Sequence, residues 1–283
     1  MLNQLIVDDI IKRALQEDMP FGDITTDNLI NEESISKAVM IAKENGVIAG
    51  LDVAARVFEI LDEKAVFKKH VSDGCKVSKG DIIAEIEGKT RALLKGERTA
   101  LNILQRLSGI ASKTNEICEI VKDLPVSIAD TRKTMPGLRI LDKYAVKMGG
   151  GSNHRYSLSD GVLIKDNHIA GAGSITKAVK KVKEYKKKNN LNCLIEVETK
   201  NFEEINEALQ CGIDIIMLDN FSVNDTKKAV NIINNKCKIE ASGGININTL
   251  VEVAETGVDY ISVGALTHSV RALDLSLLID YAK

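Results

Sequence analysis

The sequence predicts an α/β protein in which a small β-rich module precedes a run of βα units. Three observations lead there. At 283 residues the chain exceeds the usual size of a single core, so two domains, or one barrel with an extension, are the natural arrangements. From Val126 onward, short apolar runs alternate with amphipathic stretches with little slack between them, as in a parallel sheet covered by helices. Hydrophobic residues make up 44% and charged residues 28%, a globular balance that excludes disorder.

Composition also bounds the setting. The opening stretch MLNQLIVDDIIKRALQED carries acids inside its apolar pattern and lacks a basic leader. No run approaches the roughly 18 apolar residues of a membrane span, so a cytoplasmic protein is expected, with no membrane partner. Five cysteines, Cys75, Cys118, Cys193, Cys211 and Cys237, are scattered without a Cys-x-x-Cys pair, which argues against a disulfide frame or a zinc site.

The elements follow in order. Leu5 to Leu15 has apolar residues at helical spacing and stops near Met19-Pro20, so a surface helix is expected. Pro20, Gly22 and Asp23 then signal a turn. Lys37 to Ala42 and Ala65 to Val71 read as strands around a helix from Asp52 to Leu61. In VSDGCKVSKGDIIAEIEG two turn clusters bracket short alternating runs. Those turns resemble biotinyl and lipoyl carrier domains, with Lys89 in the place of the modified lysine. A carrier lysine needs the tip of a tight hairpin, however, and Arg91 to Leu94 runs on into a long helix, Glu97 to Val121. A small β module reusing that scaffold is the better expectation.

Six strand candidates come next: Val126 to Asp130, Gly161 to Lys165, Leu194 to Glu198, Asp214 to Asp219, Lys238 to Ser242 and Asp259 to Gly264. Stretches such as Ser174 to Lys187 and Phe202 to Gln210 read as the intervening helices. Repeated right-handed crossovers tend to close into a barrel, but six strands fall short of eight. An incomplete barrel or a doubly wound sheet is expected.

The strand ends carry the chemistry. They finish with Arg132-Lys133, Lys165-Asp166, Glu196 and Glu198, Asp219-Asn220, Ser242-Gly243-Gly244, and Gly264-Ala265. Ala129 to His168 alone holds seven Lys or Arg against four Asp, in a chain of formal net charge -2. In α/β folds the site lies past the carboxyl ends of the strands, so this concentration points to an anion pocket. Each member has a plain alternative: a surface pair for Lys165 and Asp166, a solvated strand end for Glu196 or Glu198, an ordinary turn for the glycines. Glycines at the last two strands also suit a phosphate held by backbone N–H groups. The basic run Lys180 to Lys188 reads as the solvated face of a helix, and pI ≈ 6.2 argues against nucleic-acid binding.

Motifs spanning nearly the whole chain closely resemble the quinolinate phosphoribosyltransferases, also called nicotinate-nucleotide pyrophosphorylases (carboxylating). They are ED-x-P-x-GD-x-TT (Glu17 to Thr26), ERTALN (Glu97 to Asn102), SGIA (Ser108 to Ala111), TRKT-x-PGLR (Thr131 to Arg139), GGG-x-NHR (Gly149 to Arg155), LIKDNH (Leu163 to His168), EVE (Glu196 to Glu198), LDNF (Leu218 to Phe221), ASGGI (Ala241 to Ile245) and SVGALTHS (Ser262 to Ser269). A molybdenum-transport-associated relative on the same scaffold is the competing reading. The quinolinate-facing cations, Arg98, Arg155 and Lys165 above all, favour the transferase.

The resemblance implies an amino-terminal α/β open sandwich plus an incomplete parallel α/β barrel of fewer than eight strands. The domain bounds expected on it are 1–110, with the long connecting helix, and 111–283, with the last helix packing back on the amino-terminal domain. It implies phosphoribosyl transfer to quinolinate with decarboxylation, giving nicotinate mononucleotide, with Mg2+ and no organic cofactor. By correspondence, Arg98, Arg132, His154, Arg155 and Lys165 would hold quinolinate, and Lys133 would face the pyrophosphate. Glu198 and Asp219 would take the metal, and Ser242, Gly243, Gly244 and Gly264 the ribose phosphate. Lys133, Lys165, Glu198 and Asp219 would be catalytic. A homodimer is implied, with Arg98 entering the neighbouring site. His168 reads as structural, and Gly149 to Gly151 as a flexible hinge suited to closure.

Overall fold

The computed structural model describes residues 2–280, and the chain divides into two compact units. One holds the amino-terminal residues through Asn115, Thr134–Gly150 and the segment from Leu266 onward; the other holds Glu116–Lys133 and Gly151–Ala265.

The first unit is built from α1 (Gln4–Asp18), α2 (Thr26–Leu29), β1 (Ile35–Ala42), β2 (Gly46–Val47), α3 (Leu51–Leu61), β3 (Val66–Lys69), β4 (Lys76–Val77), β5 (Ile82–Lys89) and the start of α4 (Thr90–Ile120). Strand β1 alternates with period two, burying Ser36, Ala38, Met40 and Ala42 on one face. Helix α3 begins where it does because Asp73, from another segment, accepts the N–H groups of Gly50 (2.8 Å) and Leu51 (3.1 Å). Donors of the first helical turn that have no partner within the helix are thereby satisfied. Its buried face carries Val53, Ala54, Val57 and Phe58. The Phe58 ring stacks on Phe67 at 6.3 Å between centroids, and truncating such a buried ring costs about 3–5 kcal/mol.

Lys89 ends β5, its N–H donates to Asp62 (2.9 Å), and α4 begins at the next residue. There is no hairpin tip for a carrier lysine, so the carrier reading fails on geometry.

Two later segments join this unit. Helix α5 (Arg139–Met148) is held by Arg106, which pairs bidentately with the fully buried Asp142 at 3.0 and 2.9 Å, and by the Tyr144 hydroxyl, which donates to Asp73. Just past α5, a Cβ on Gly149 would lie 2.4 Å from the Ala111 carbonyl oxygen. Close packing against α4, rather than hinge motion, explains glycine at that position. The carboxyl-terminal segment also belongs to this unit, but as a strand and not as the expected helix. The run Leu275–Asp280 buries Leu275 and Leu277, two residues apart, and pairs antiparallel with β1 from Ala42↔Leu275 to Lys37↔Asp280. These two segments account for the difference between the observed units and a division into 1–110 and 111–283.

The second unit is a six-stranded parallel sheet: β6 (Ser127–Ala129), β7 (Val162–Ile164), β8 (Ile195–Thr199), β9 (Ile215–Asp219), β10 (Lys238–Ser242) and β11 (Tyr260–Ser262). With these six numbered, the Leu275–Asp280 strand is β12, the edge of an antiparallel sheet in the order β12-β1-β5-β3. Between the parallel strands lie α6 (Asp166–Ala172), α7 (Ile175–Lys188), α8 (Phe202–Gln210), α9 (Val223–Ile233) and α10 (Ile247–Ala254), and α11 (Ala265–His268) follows β11. The strand order is β6-β11-β10-β9-β8-β7. It never reverses direction as a doubly wound sheet would. It is a barrel left open between β6 and β7. On the β6 side of that gap Ser152 adds one parallel bridge, donating to Ile128 O (2.7 Å) and accepting from Asp130 N (3.0 Å).

Register sorts the two faces of this sheet, because in-register neighbours point the same way. One face carries the apolar row Ile128–Ile261–Ala241–Leu218 and the row Ile164–Val197–Ile216–Ile239. The other carries Ser127–Tyr260–Glu240–Met217–Glu198 and, one step nearer the carboxyl ends, Ala129–Ser262–Ser242–Asp219. The carboxylates of the strands, Glu196, Glu198, Asp219 and Glu240, therefore all lie on one face.

Candidate active site

Three clusters form where the polar face meets the carboxyl ends of the strands. The first lies on β7, β8 and β9. Lys165, just past β7, pairs with the buried Glu198 carboxylate of β8. Beyond them Lys200 pairs with Asp166 at 2.7 Å. The Lys200 ammonium is held above its ordinary value by Asp166 first, with the charges of Asp219 and Glu198 adding to it. Asp219, at the end of β9, accepts from the Asn220 side-chain amide (3.0 Å). His168, in the first turn of α6, accepts the Lys165 N–H on Nδ1 (3.0 Å), the structural role expected of it.

The second cluster surrounds the end of β6. Asp130 is fully buried and accepts the His154 N–H (2.9 Å). Arg132 is half-buried and Lys133 exposed; the Lys133 N–H donates to the Thr131 hydroxyl (3.0 Å). The Arg155 guanidinium donates to Gly161 O (3.0 Å). Burial, and then the neighbouring Arg132 charge, push Arg155 down from its ordinary value, as two cations held together must. Under them the His154 ring stands with Nε2 at 2.9 Å from Glu196 and 3.4 Å from Glu240. Its Nδ1 accepts the Arg155 N–H (2.8 Å). Glu240 in turn takes a hydrogen bond from the Ser262 hydroxyl. Burial, then the charge of Glu196, push the Glu240 carboxyl up to about 7.

The third cluster is the glycine turn after β10. Gly243 and Gly244 have φ of +90° and +66°, the left-handed region that L side chains rarely adopt. A Cβ on Gly243 would also lie 2.3 Å from the Asn220 side-chain oxygen. Asn220 is itself left-handed (φ +58°), and its N–H donates to Ser242 O (2.8 Å). The turn after β9 and the turn after β10 are thus built against each other. Gly264, half-buried, lies two residues past β11.

Of the residues singled out in the sequence, Arg132, Lys133, His154, Arg155, Lys165, Glu198, Asp219, Ser242, Gly243, Gly244 and Gly264 all lie at this end of the second unit. Arg98 lies on α4 in the first unit and is exposed. Asp73, in the same unit, is engaged by the first turn of α3 and by Tyr144. Reading the sequence missed Asp130, Glu240, Ser262 and Lys200. For Glu240 a signal existed: an acid inside the apolar strand KIEAS, in phase with Ser242. Chemically, the three clusters offer cations for carboxylates or phosphates, two carboxylates for a hard metal ion, and a backbone cradle for a phosphate.

The family model "Quinolinate phosphoribosyl transferase, C-terminal domain" matches residues 110–278, and "Quinolinate phosphoribosyl transferase, N-terminal domain" matches residues 23–108. A probable nicotinate-nucleotide pyrophosphorylase [carboxylating] of Bacillus subtilis (strain 168) is 43% identical over 276 residues, covering 98% of this chain and 94% of that protein. A quinolinate phosphoribosyltransferase [decarboxylating] of Nicotiana tabacum is 43% identical, covering 96% of this chain and 82% of that protein. The crystal structure of NadC from Streptococcus pyogenes superimposes with a TM-score of 0.95 at 41% identity, covering 100% of this chain and 99% of that one.

Proposed function

The chain belongs to the quinolinate phosphoribosyltransferase family, and on that premise we propose that it transfers the phosphoribosyl group of phosphoribosyl pyrophosphate to the ring nitrogen of quinolinate. Loss of carbon dioxide follows, giving nicotinate mononucleotide and pyrophosphate, a step of NAD biosynthesis. The observation that carries this reading is the meeting of Arg132, Arg155 and Lys165 with Glu198 and Asp219 at one end of a single sheet.

Quinolinate brings two carboxylates, and Arg132 and Arg155 are suited to planar pairing with them. Lys165 is held by Glu198 until an anion competes for it. The ring nitrogen forms its bond to the ribose carbon as the carbon–oxygen bond to pyrophosphate breaks, and the electron pair leaves with pyrophosphate. Lys133, exposed at the rim, faces that leaving group. The ring nitrogen is then positive. It stabilises the electron pair left on the adjacent carbon when carbon dioxide departs, and a proton completes that carbon. Ser242, Gly243, Gly244 and Gly264 hold the ribose phosphate through backbone N–H groups.

Glu198 and Asp219 suit Mg2+: both are carboxylates, on adjacent strands and on the same face. The ion, when bound with the substrate, neutralises charge gained by the leaving oxygens. The chain works in the cytoplasm on this reading, in keeping with its five free cysteines; among the described residues no helix is long and apolar enough to cross a membrane. The protein acts as a homodimer in which the exposed Arg98 enters the neighbouring subunit's site, as a two-fold contact permits. Incubation with quinolinate, phosphoribosyl pyrophosphate and Mg2+ should yield nicotinate mononucleotide; absence of that product from folded protein overturns the assignment.

A further inference from the structure

His154 is clamped from four directions. Its N–H donates to the buried Asp130 (2.9 Å), its Nδ1 accepts the Arg155 N–H (2.8 Å), and its Nε2 faces Glu196 (2.9 Å) and Glu240 (3.4 Å). A ring nitrogen that accepts a hydrogen bond carries no proton, so this geometry fixes the neutral tautomer with its proton on Nε2. That single N–H is directed at Glu196, with Glu240 close beside it, and the two carboxylates are 4% and 2% exposed. Two buried carboxylates facing one neutral ring cannot both ionise cheaply, so one of them holds a proton. Glu240 is the better holder. It is the more buried of the two; the Ser262 hydroxyl, which donates to its carboxyl, works against the proton but fixes the orientation of the group. The upward push on its carboxyl agrees with this assignment.

We propose that Glu240 is a positioning residue of the quinolinate pocket: held by Ser262 and lying beside Glu196, it fixes the His154 ring and, through Nδ1, the backbone of Arg155. It touches no reacting atom. Its effect passes from β10 to His154, from His154 to the Arg155 N–H, and so to a guanidinium already tied to Gly161 and set beside Arg132. The same cluster, His154 with Glu196 and Glu240, has the composition of a metal site. The hydrogen-bonded Nε2–H assigns it a proton instead. The kinetic side of this inference rests on the quinolinate reading given above; the tautomer side does not.

The test combines two readouts on Glu240→Gln, Glu240→Leu and Ser262→Ala. Glutamine can accept the Nε2–H with its carbonyl and donate to Glu196 with its amide, so it imitates a protonated glutamic acid; leucine can do neither. The chain has four histidines, so the ring nitrogens of His154 can be assigned by nitrogen-15 NMR against His154→Gln. The wild type and Glu240→Gln should show the neutral Nε2–H form, and Glu240→Leu should lose it. The KM for quinolinate should rise on the order of tenfold in Glu240→Leu with little change in the KM for phosphoribosyl pyrophosphate. Glu240→Gln should restore it, and Ser262→Ala should fall between. Should Glu240→Leu misfold, Ser262→Ala and Glu240→Gln decide alone. An unchanged His154 tautomer, or a quinolinate KM within about twofold of wild type in the variants expected to lose the clamp, overturns the proposal. If the wild type makes no nicotinate mononucleotide, the functional assignment fails, and the NMR comparison still decides the role of Glu240.

Discussion

Lys165 and Glu198, on neighbouring strand ends, are paired with each other. On the roles proposed for them, the ammonium that would meet an anionic substrate and the carboxylate that would meet a cation satisfy each other. Binding of one should ease binding of the other, because each frees the partner's group.

The metal prediction follows from that pair. In Asp219→Asn the remaining carboxylate, Glu198, is the one already engaged by Lys165. Catalysis should weaken, and the Mg2+ concentration for half-maximal activity should rise roughly tenfold or more, while quinolinate binding by calorimetry largely survives. An unchanged Mg2+ dependence removes Asp219 from the metal's surroundings.

A second prediction concerns the acid. On the roles proposed for them, Arg132, Arg155 and Lys165 answer two carboxylates, and nicotinate brings one. These cations are half-buried, and one left unmatched in the occupied pocket disfavours the single carboxylate, so kcat/KM should favour quinolinate by about a hundredfold or more. Comparable turnover of nicotinate would mean that the cluster does not read the second carboxylate.

The third concerns pH and stability. The Glu240 carboxyl is raised to about 7 by burial and by Glu196. A carboxyl raised on folding contributes stability that is fully present below its unfolded pKa and is lost as pH rises through the folded one. Wild-type Tm should therefore fall between about pH 5 and pH 8, whereas Glu240→Gln, which cannot ionise, should be spared that loss. The Tm of the variant relative to wild type should climb across the window. A difference that stays flat with pH would show that Glu240 does not hold the proton.

How far these residues were legible in the sequence varies for physical reasons. Strand Lys238–Ser242 could be bounded from its pattern alone, because buried parallel strands are short and apolar. Glu240 within it escaped notice because its meaning depends on Glu196, His154 and Ser262, which lie on other elements. The terminal segment shows no strand signal of its own, because what makes Leu275–Asp280 a strand is its partner β1, far away in the sequence. Gly149 read as a hinge because the Ala111 carbonyl that it meets belongs to a distant helix. Local periodicity shows which residues share a face; it does not show what that face will meet.

The fourth prediction addresses Arg98. If each pocket borrows it from the neighbouring subunit, Arg98→Ala and Glu198→Ala homodimers should both be nearly inactive. A mixed dimer then contains one pocket with both residues intact. Mixing the variants under demonstrated subunit exchange should restore up to about half the activity per mixed dimer. No recovery would falsify the shared site.

The pairing of β1 with β12 also bears on how the chain is made. The amino-terminal antiparallel sheet has three of its strands early, yet its edge on the β1 side is covered only by Leu275–Asp280. At roughly 5–20 residues per second of synthesis, β1 waits on the order of ten seconds or more with its edge hydrogen-bonding groups open. An edge of that kind invites pairing with another chain, and such non-local closure slows folding. Nascent chains arrested before Leu275 should therefore be cleaved by protease around β1, where the released protein resists. A strand made late thus shields one made early.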